Sequence, residues 1–255
     1  MKRYIALAGL LSAALLTACE KNAVQDITAP PPASAVKFFN FGVNAPSVNF
    51  YANDTKMTAI VSATGAETTL GVAYGSAGAS GLYTGITPGA YTLSGKISAT
   101  VDKDLAISTT PATFEAGKKY SYFLSGFYNT ATKNVEGFVV EDPIPAIDYS
   151  VANVRFVNAI SNSGPTVLSA KHTVTTTVTP VGPAVAYKTA GAYVALPPGV
   201  YDVSARVSGA ATDAVVRTGL SFSGGRVYTI TSRGDITVVS TTAVTRPSLD
   251  FTSNR

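Results

Sequence analysis

The stretch PGAYTLSGKIS at residues 88–98 returns as PGVYDVSARVS at residues 198–208. Three more blocks recur in the same order. VKFFNF, from residue 36, matches VRFVNA, from residue 154. GVAYGSAGASGLY, from 71, matches AVAYKTAGAYV, from 184. FEAGKKYSYFLSG, from 114, matches FSGGRVYTITSRG, from 222. In chain order the offsets are 118, 113, 110 and 108 residues. Chance matches would not keep their order, and steadily shrinking offsets are what loop shortening leaves after a domain duplicates. Whatever this chain folds into, it must do so twice.

Each copy reads as β. Tyr91, Leu93, Gly95 and Ile97 alternate with Thr92, Ser94 and Lys96, and Tyr201, Val203, Ala205 and Val207 alternate with Asp202, Ser204 and Arg206. A period of two puts one set on a buried face and the other on the opposite face. Pro88-Gly89 and Pro198-Gly199 are turn dipeptides leading into those strands. No long stretch of 3.6-residue periodicity follows residue 20. Seven to nine short strands in each copy predict an all-β chain of two tandem, antiparallel, immunoglobulin-like β-sandwich domains.

The N-terminus sets the expected compartment. MKR is a positive leader, IALAGLLSAALL is an apolar run of about twelve residues, and LTAC closes it at Cys19. That run is shorter than the roughly 20 residues a helix needs to cross a bilayer. Small residues before a cysteine resemble the lipobox of bacterial lipoproteins, which implies cleavage before Cys19 and acylation of it. Cys19 is the only cysteine of the chain, so no intramolecular disulfide competes for it. Two or more acyl chains hold a protein stably at a membrane. Glu20 stands where an aspartate marks inner-membrane retention in enterobacteria, so the outer membrane is the expected address.

The expected layout is therefore a signal peptide over 1–18 and a lipidated Cys19 with a Pro-rich tether to residue 33. A first sandwich over 34–142, a linker over 143–150, a second sandwich over 151–245 and a tail over 246–255 follow. The tail is expected to pack in part through Leu249 and Phe251. Removing Lys2 and Arg3 leaves 17 basic and 15 acidic residues, a net charge of +2. No basic cluster interleaved with aromatics accompanies it, so nucleic acid is not an expected partner.

The blocks VRFVNA, AVAYKTAGAYVALPPGVYDVSARV and GGRVYTITSRG resemble the domain of unknown function 4397, found in secreted and envelope proteins of bacteria. The resemblance covers 151–240 well and 35–140 more loosely, the first copy departing at Gly78–Gly81 and in a longer 100–112 loop. It implies a fold and a compartment; that family supplies no catalytic residues.

The chemistry-bearing residues are few. His172 is the only histidine, which excludes a multi-His metal site or a His-based triad within one chain. Asp102 with Asp104, and Glu141 with Asp142, are the carboxylate pairs a hydrolase could use, and neither has calcium-loop spacing. No catalytic residue, metal or cofactor is predicted. Aromatics are more suggestive. In the strand over 119–128, Tyr120 and Tyr122 point one way and Phe123 the other, so Phe123, Phe127 and Tyr128 form a candidate binding surface. The expectation is a non-catalytic envelope lipoprotein, membrane-bound through its N-terminal lipid, presenting two sandwiches for binding, adhesion or assembly with an envelope protein. A carbohydrate-binding lipoprotein is the alternative, and a carboxylate-based hydrolase comes last.

Overall fold

The computed structural model describes residues 34–59 and 70–255. The expected signal peptide, Cys19 and the tether lie outside them. Among the described residues the first half contains nine strands: β1 (Ser34–Asn40), β2 (Val48–Ala52), β3 (Thr55–Lys56), β4 (Ser76–Ala77), β5 (Thr84–Ile86), β6 (Gly89–Ile97), β7 (Ala106–Phe114), β8 (Lys119–Asn129) and β9 (Asn134–Glu141). The second half contains nine more: β10 (Ala152–Asn158), β11 (Thr166–His172), β12 (Val178–Pro180), β13 (Thr189–Ala190), β14 (Val194–Leu196), β15 (Gly199–Val207), β16 (Val215–Phe222), β17 (Val227–Arg233) and β18 (Ser248–Ser253).

The two halves have one topology. In the first, β4-β1-β8-β9, with β5 also on β1, faces β3-β2-β6-β7. In the second, β13-β10-β17-β18, with β14 also on β10, faces β12-β11-β15-β16. The all-β sandwich expectation holds in both. One detail differs: β1 with β8, and β10 with β17, are parallel pairs. The chain crosses twice to the opposite sheet before β8 or β17 returns to lie beside the opening strand, and that route brings it back in the same direction.

Two further expectations are corrected. Residues 248–253 are no tail: they form β18, the edge strand antiparallel to β17 and the counterpart of β9. Residues 106–112, assigned to a long loop, lie in β7, paired with β6.

The repeated residues hold the same posts in each half. The Tyr91 and Tyr201 hydroxyls donate to the carbonyls of Thr87 and Pro197, four residues back across the Pro-Gly turn, at 2.9 and 2.7 Å. Tyr120 and Tyr228 hydroxyls accept from the amides of Glu115 and Ser223, both at 3.1 Å. Asn40 and Asn158 send their amides to Val72 O and Val185 O, at 2.9 and 3.1 Å. Buried polar groups need such partners, so the duplicated motifs are architectural.

Each sandwich has its own core. Val36, Phe38, Phe50, Leu93, Tyr122 and Leu124 fill the first, and Val154, Phe156, Leu168, Val203 and Ile230 fill the second. A third apolar cluster joins the halves: Phe39, Phe41, Phe123, Phe138 and Val140 pack with Val157 and Ala159. Residues 34–255 accordingly fall within one compact unit.

Candidate binding surface

Strand β8 keeps the predicted alternation. Tyr120, Tyr122 and Leu124 enter the first core, and Phe123 points the other way. That other face is not free, because the second sandwich covers it. Phe123 is 0% exposed, stacked on Phe39 at 4.6 Å and on Phe138 at 5.0 Å between ring centroids. The expectation that Phe123, Phe127 and Tyr128 form one exposed surface is therefore corrected. Burying an aromatic ring of this size is strongly favourable, and the ring has found its partner within the chain.

Beyond Phe123 the strand bulges. Gly126 adopts φ +80° and the pairing with β9 shifts between Ser125 and Asn129. Between the pairs Ser125–Glu136 and Asn129–Asn134, β8 holds two more residues than β9, so the alternation of faces carries through the bulge. Tyr128 packs, half-buried, against the first core, and Phe127 is left 45% exposed. Phe127 lines an open groove with Ile107, Ser108, Asn129, Lys133, Asn134 and Glu136, and Ser161 of the second half closes one side. Lys133 pairs with Asp102 at 2.7 Å, and Glu136 accepts from the Tyr187 hydroxyl at 2.8 Å. Of the three aromatics, Phe127 alone is exposed, in a groove it shares with Asn129 and Asn134.

The most charged buried place lies in the seam between the halves. Asp142 and Arg155 form an ion pair there, with side chains 0% and 1% exposed. Asp142 also accepts from the Tyr83 hydroxyl at 2.6 Å and the Ser121 hydroxyl at 2.8 Å. Arg155 donates to Thr229 Oγ1 at 3.0 Å and Glu141 O at 2.8 Å, and lies over the Tyr193 ring. Lys37 is equally buried; it donates to Ser253 O at 2.5 Å and lies over the Tyr83 ring. Burial pushes its ammonium down to about 8, against the pull of Asp142 and with added repulsion from Arg155 and Lys119. Burial likewise pushes the Tyr83 hydroxyl up, and the adjacent Asp142 carboxylate raises it further. These donors and acceptors are spent on one another. Asp142 is a structural acceptor, and Glu141 beside it pairs with Lys118 at 3.0 Å, so the two carboxylates share no reaction space.

His172 is structural as well. Its Nδ1 accepts from the amides of Val174 and Thr175 at 3.1 and 3.2 Å, capping the turn after β11. Its ring stands edge-on to Tyr201 at 4.9 Å.

Sequence reading missed Lys37 and Arg155. Their signal was present: a basic residue at the same place in VKFF and VRFV, with apolar residues on both sides. A charge inside a strand apolar on both faces marks a strand that is covered on both faces.

A family model matches residues 34–168, that of the domain of unknown function DUF4397. The chain belongs to the DUF4397 family. The matched residues take in the first sandwich and the opening of the second, the reverse of the weighting expected from the motifs. No curated protein matches the sequence. Among solved structures, a candidate cell adhesion protein from Bacteroides fragilis aligns over 89% of this chain and 98% of its own, at 10% identity and a TM-score of 0.20. A score that low carries no argument about role, and the sandwich assignment stands on the strand pairing itself.

Proposed function

We propose that the chain is a non-catalytic, lipid-anchored protein of the bacterial cell envelope that presents its two sandwiches as one docked body for binding, adhesion or envelope assembly. The observation that carries the reading is Cys19, the only cysteine, at the end of LTAC after an apolar run of about twelve residues. The outer membrane is the proposed address. Among the described residues no helix is long and apolar enough to cross a membrane. The residues a hydrolase would need have other work: Asp142 holds the seam and His172 caps a turn. We also read residues 151–253 as a second copy of the family domain, supported by the identical strand order and the paired roles of Tyr91 with Tyr201 and Asn40 with Asn158. The test is metabolic labelling with a fatty acid, followed by membrane fractionation, of the chain and its Cys19→Ser variant. Label and membrane association are expected in the first and lost in the second. A variant that still fractionates with membranes refutes the anchor.

A second reading, glycan binding, is favoured by one observation. Phe127 is 45% exposed and lines one groove with Asn129 and Asn134. Sugar rings stack on aromatic faces and hydrogen-bond to amides. Binding on a glycan array that Phe127→Ala removes, with the melting temperature unchanged, would favour this reading.

A further inference from the structure

The seam between the halves is two-fold in kind. Strand pairing makes Lys37 the counterpart of Arg155, and Glu141, opposite Tyr120, the counterpart of Ser253, opposite Tyr228. Lys37 of the first half donates to Ser253 O of the second, and Arg155 of the second donates to Glu141 O of the first. The relation repeats farther along. Ser125 corresponds to Arg233, and Phe41 to Ala159. Ser125 Oγ donates to Ala159 O at 2.7 Å, while the Arg233 guanidinium lies over the Phe41 ring at 5.7 Å. Tyr74 and Tyr187 are counterparts too: Tyr74 meets Arg233, and Tyr187 meets Ser125. Where position i of one unit touches j of the other, and j touches i, the interface is isologous, the self-complementary contact of a symmetric dimer.

The two faces have diverged in size. The first supplies Phe39, Phe41, Phe123 and Phe138, where the second has Val157, Ala159, Thr231 and Asp250. Two first faces would crowd eight rings together. Two second faces would bring little apolar surface together, since at those four positions they carry only Val157, Ala159, Thr231 and an Asp250 already paired with Arg233 of its own half. A first face therefore fits a second face, and which chain carries that second face makes no difference to the contacts. Residues 143–150, between Asp142 and Val151, are the only covalent restraint that favours the same chain, and they form no strand.

We propose that this face is a self-recognition surface whose other occupant is a second copy of the chain. By exchange, the first sandwich of each chain seats the second sandwich of the other, giving a closed dimer with both seams intact. The proposal stands apart from the anchoring reading. Its test uses the whole chain carrying Cys19→Ser. Deleting residues 144–147 shortens the connection between the halves, and it also removes the Pro145 and Ala146 carbonyls to which Arg255 donates. Light scattering is expected to give twice the monomer mass, with the near-ultraviolet circular dichroism of the buried rings unchanged. Adding Phe123→Asp is expected to return the mass to that of a monomer, and a ten-residue Gly/Ser insertion in the linker is expected to leave the chain monomeric. A folded deletion variant that stays monomeric, or a dimer indifferent to Phe123→Asp, overturns the proposal. If the deletion variant does not fold, two differently tagged populations of the undeleted chain are mixed at high concentration just below the melting temperature and then cooled. Mixed dimers support exchange, and their absence overturns it.

Discussion

Arg155, on the first strand of the second half, is paired with Asp142, the residue that follows the last strand of the first half, and both side chains are shut away from water. A buried pair contributes little net stability against an apolar replacement, but breaking it strands a charge, at a cost of about 3–5 kcal/mol. Asp142→Ala and Arg155→Met are each expected to destabilise the chain by about that much in urea unfolding. The double variant should fall well short of their sum, because neither charge is left alone. Additive losses would show that the two residues do not act as a pair.

Lys37 makes stability depend on pH in an unusual direction. Its ammonium sits at about 8 in the fold, against 10.5 for an ordinary lysine. Between those values the unfolded chain holds a proton that the folded one has released, so stability rises with pH across that window. The burial penalty is present in full below pH 8. Near pH 10 the rise is opposed by Tyr83 and Tyr193, whose hydroxyls are held above their ordinary value and keep protons that the unfolded chain gives up. Melting temperatures taken from pH 7 to 10 should climb first, and Lys37→Met should flatten that climb. A wild-type curve that falls from pH 8 would contradict the burial of Lys37 as a cation.

Two phenylalanines four residues apart on β8 separate seam from surface. Phe123→Ala should cost about 3–5 kcal/mol, as for a buried aromatic ring, and Phe127→Ala less than about 1 kcal/mol, as for a residue close to solvent. Chemical denaturation of both variants checks the order. Similar losses would put Phe127 in the packed interior.

Gly137 is fixed by its neighbours. A Cβ there would come within 2.4 Å of Thr110 Oγ1, 2.7 Å of the Tyr122 hydroxyl and 2.8 Å of Ser108 Oγ. Overpacking of this kind costs about 1–3 kcal/mol, so Gly137→Ala should lower the melting temperature. Tyr122→Phe removes one of the three obstructing atoms, and the double variant should recover part of the loss. The corresponding pair in the second half is Ile230 with Leu249, where the larger residue on the edge strand meets the smaller one on the central strand.

Much of the fold was legible because its signals are local. Pro-Gly turns, alternation in YTLSGKI and YDVSARV, and the recurrence of blocks in order all report on neighbours in sequence. Tyr122 inside and Phe123 opposite follow from period two alone. The cover over Phe123 does not, since that depends on a face assembled from β10, far along the chain in the repeat. β18 was missed for a related reason: SLDFTS alternates weakly, and only the free edge of β17 makes it a strand. The site was legible in the same measure. Phe127 survives as the exposed ring because it lies on the Phe123 side of β8 but outside the cluster that covers Phe123; period two gives the side, not where the cover ends. Lys37 and Arg155 were readable as charges in apolar strands, but their partners lie across the seam.

The parallel pairing of each opening strand with β8 or β17 gives the described fold a direction. Ser34 enters beside Lys118, Asp142 leaves beside Lys119, and Asn254 is held to Val227. Entry, crossover and final strand thus share one end. Strand β8 runs from there for eleven residues, about 35 Å at the usual rise, and the Phe127 groove lies toward its opposite end. Anything joined covalently before Ser34 or spliced into residues 143–150 is therefore set at one pole, while whatever the groove meets does so at the other, a full strand's length away.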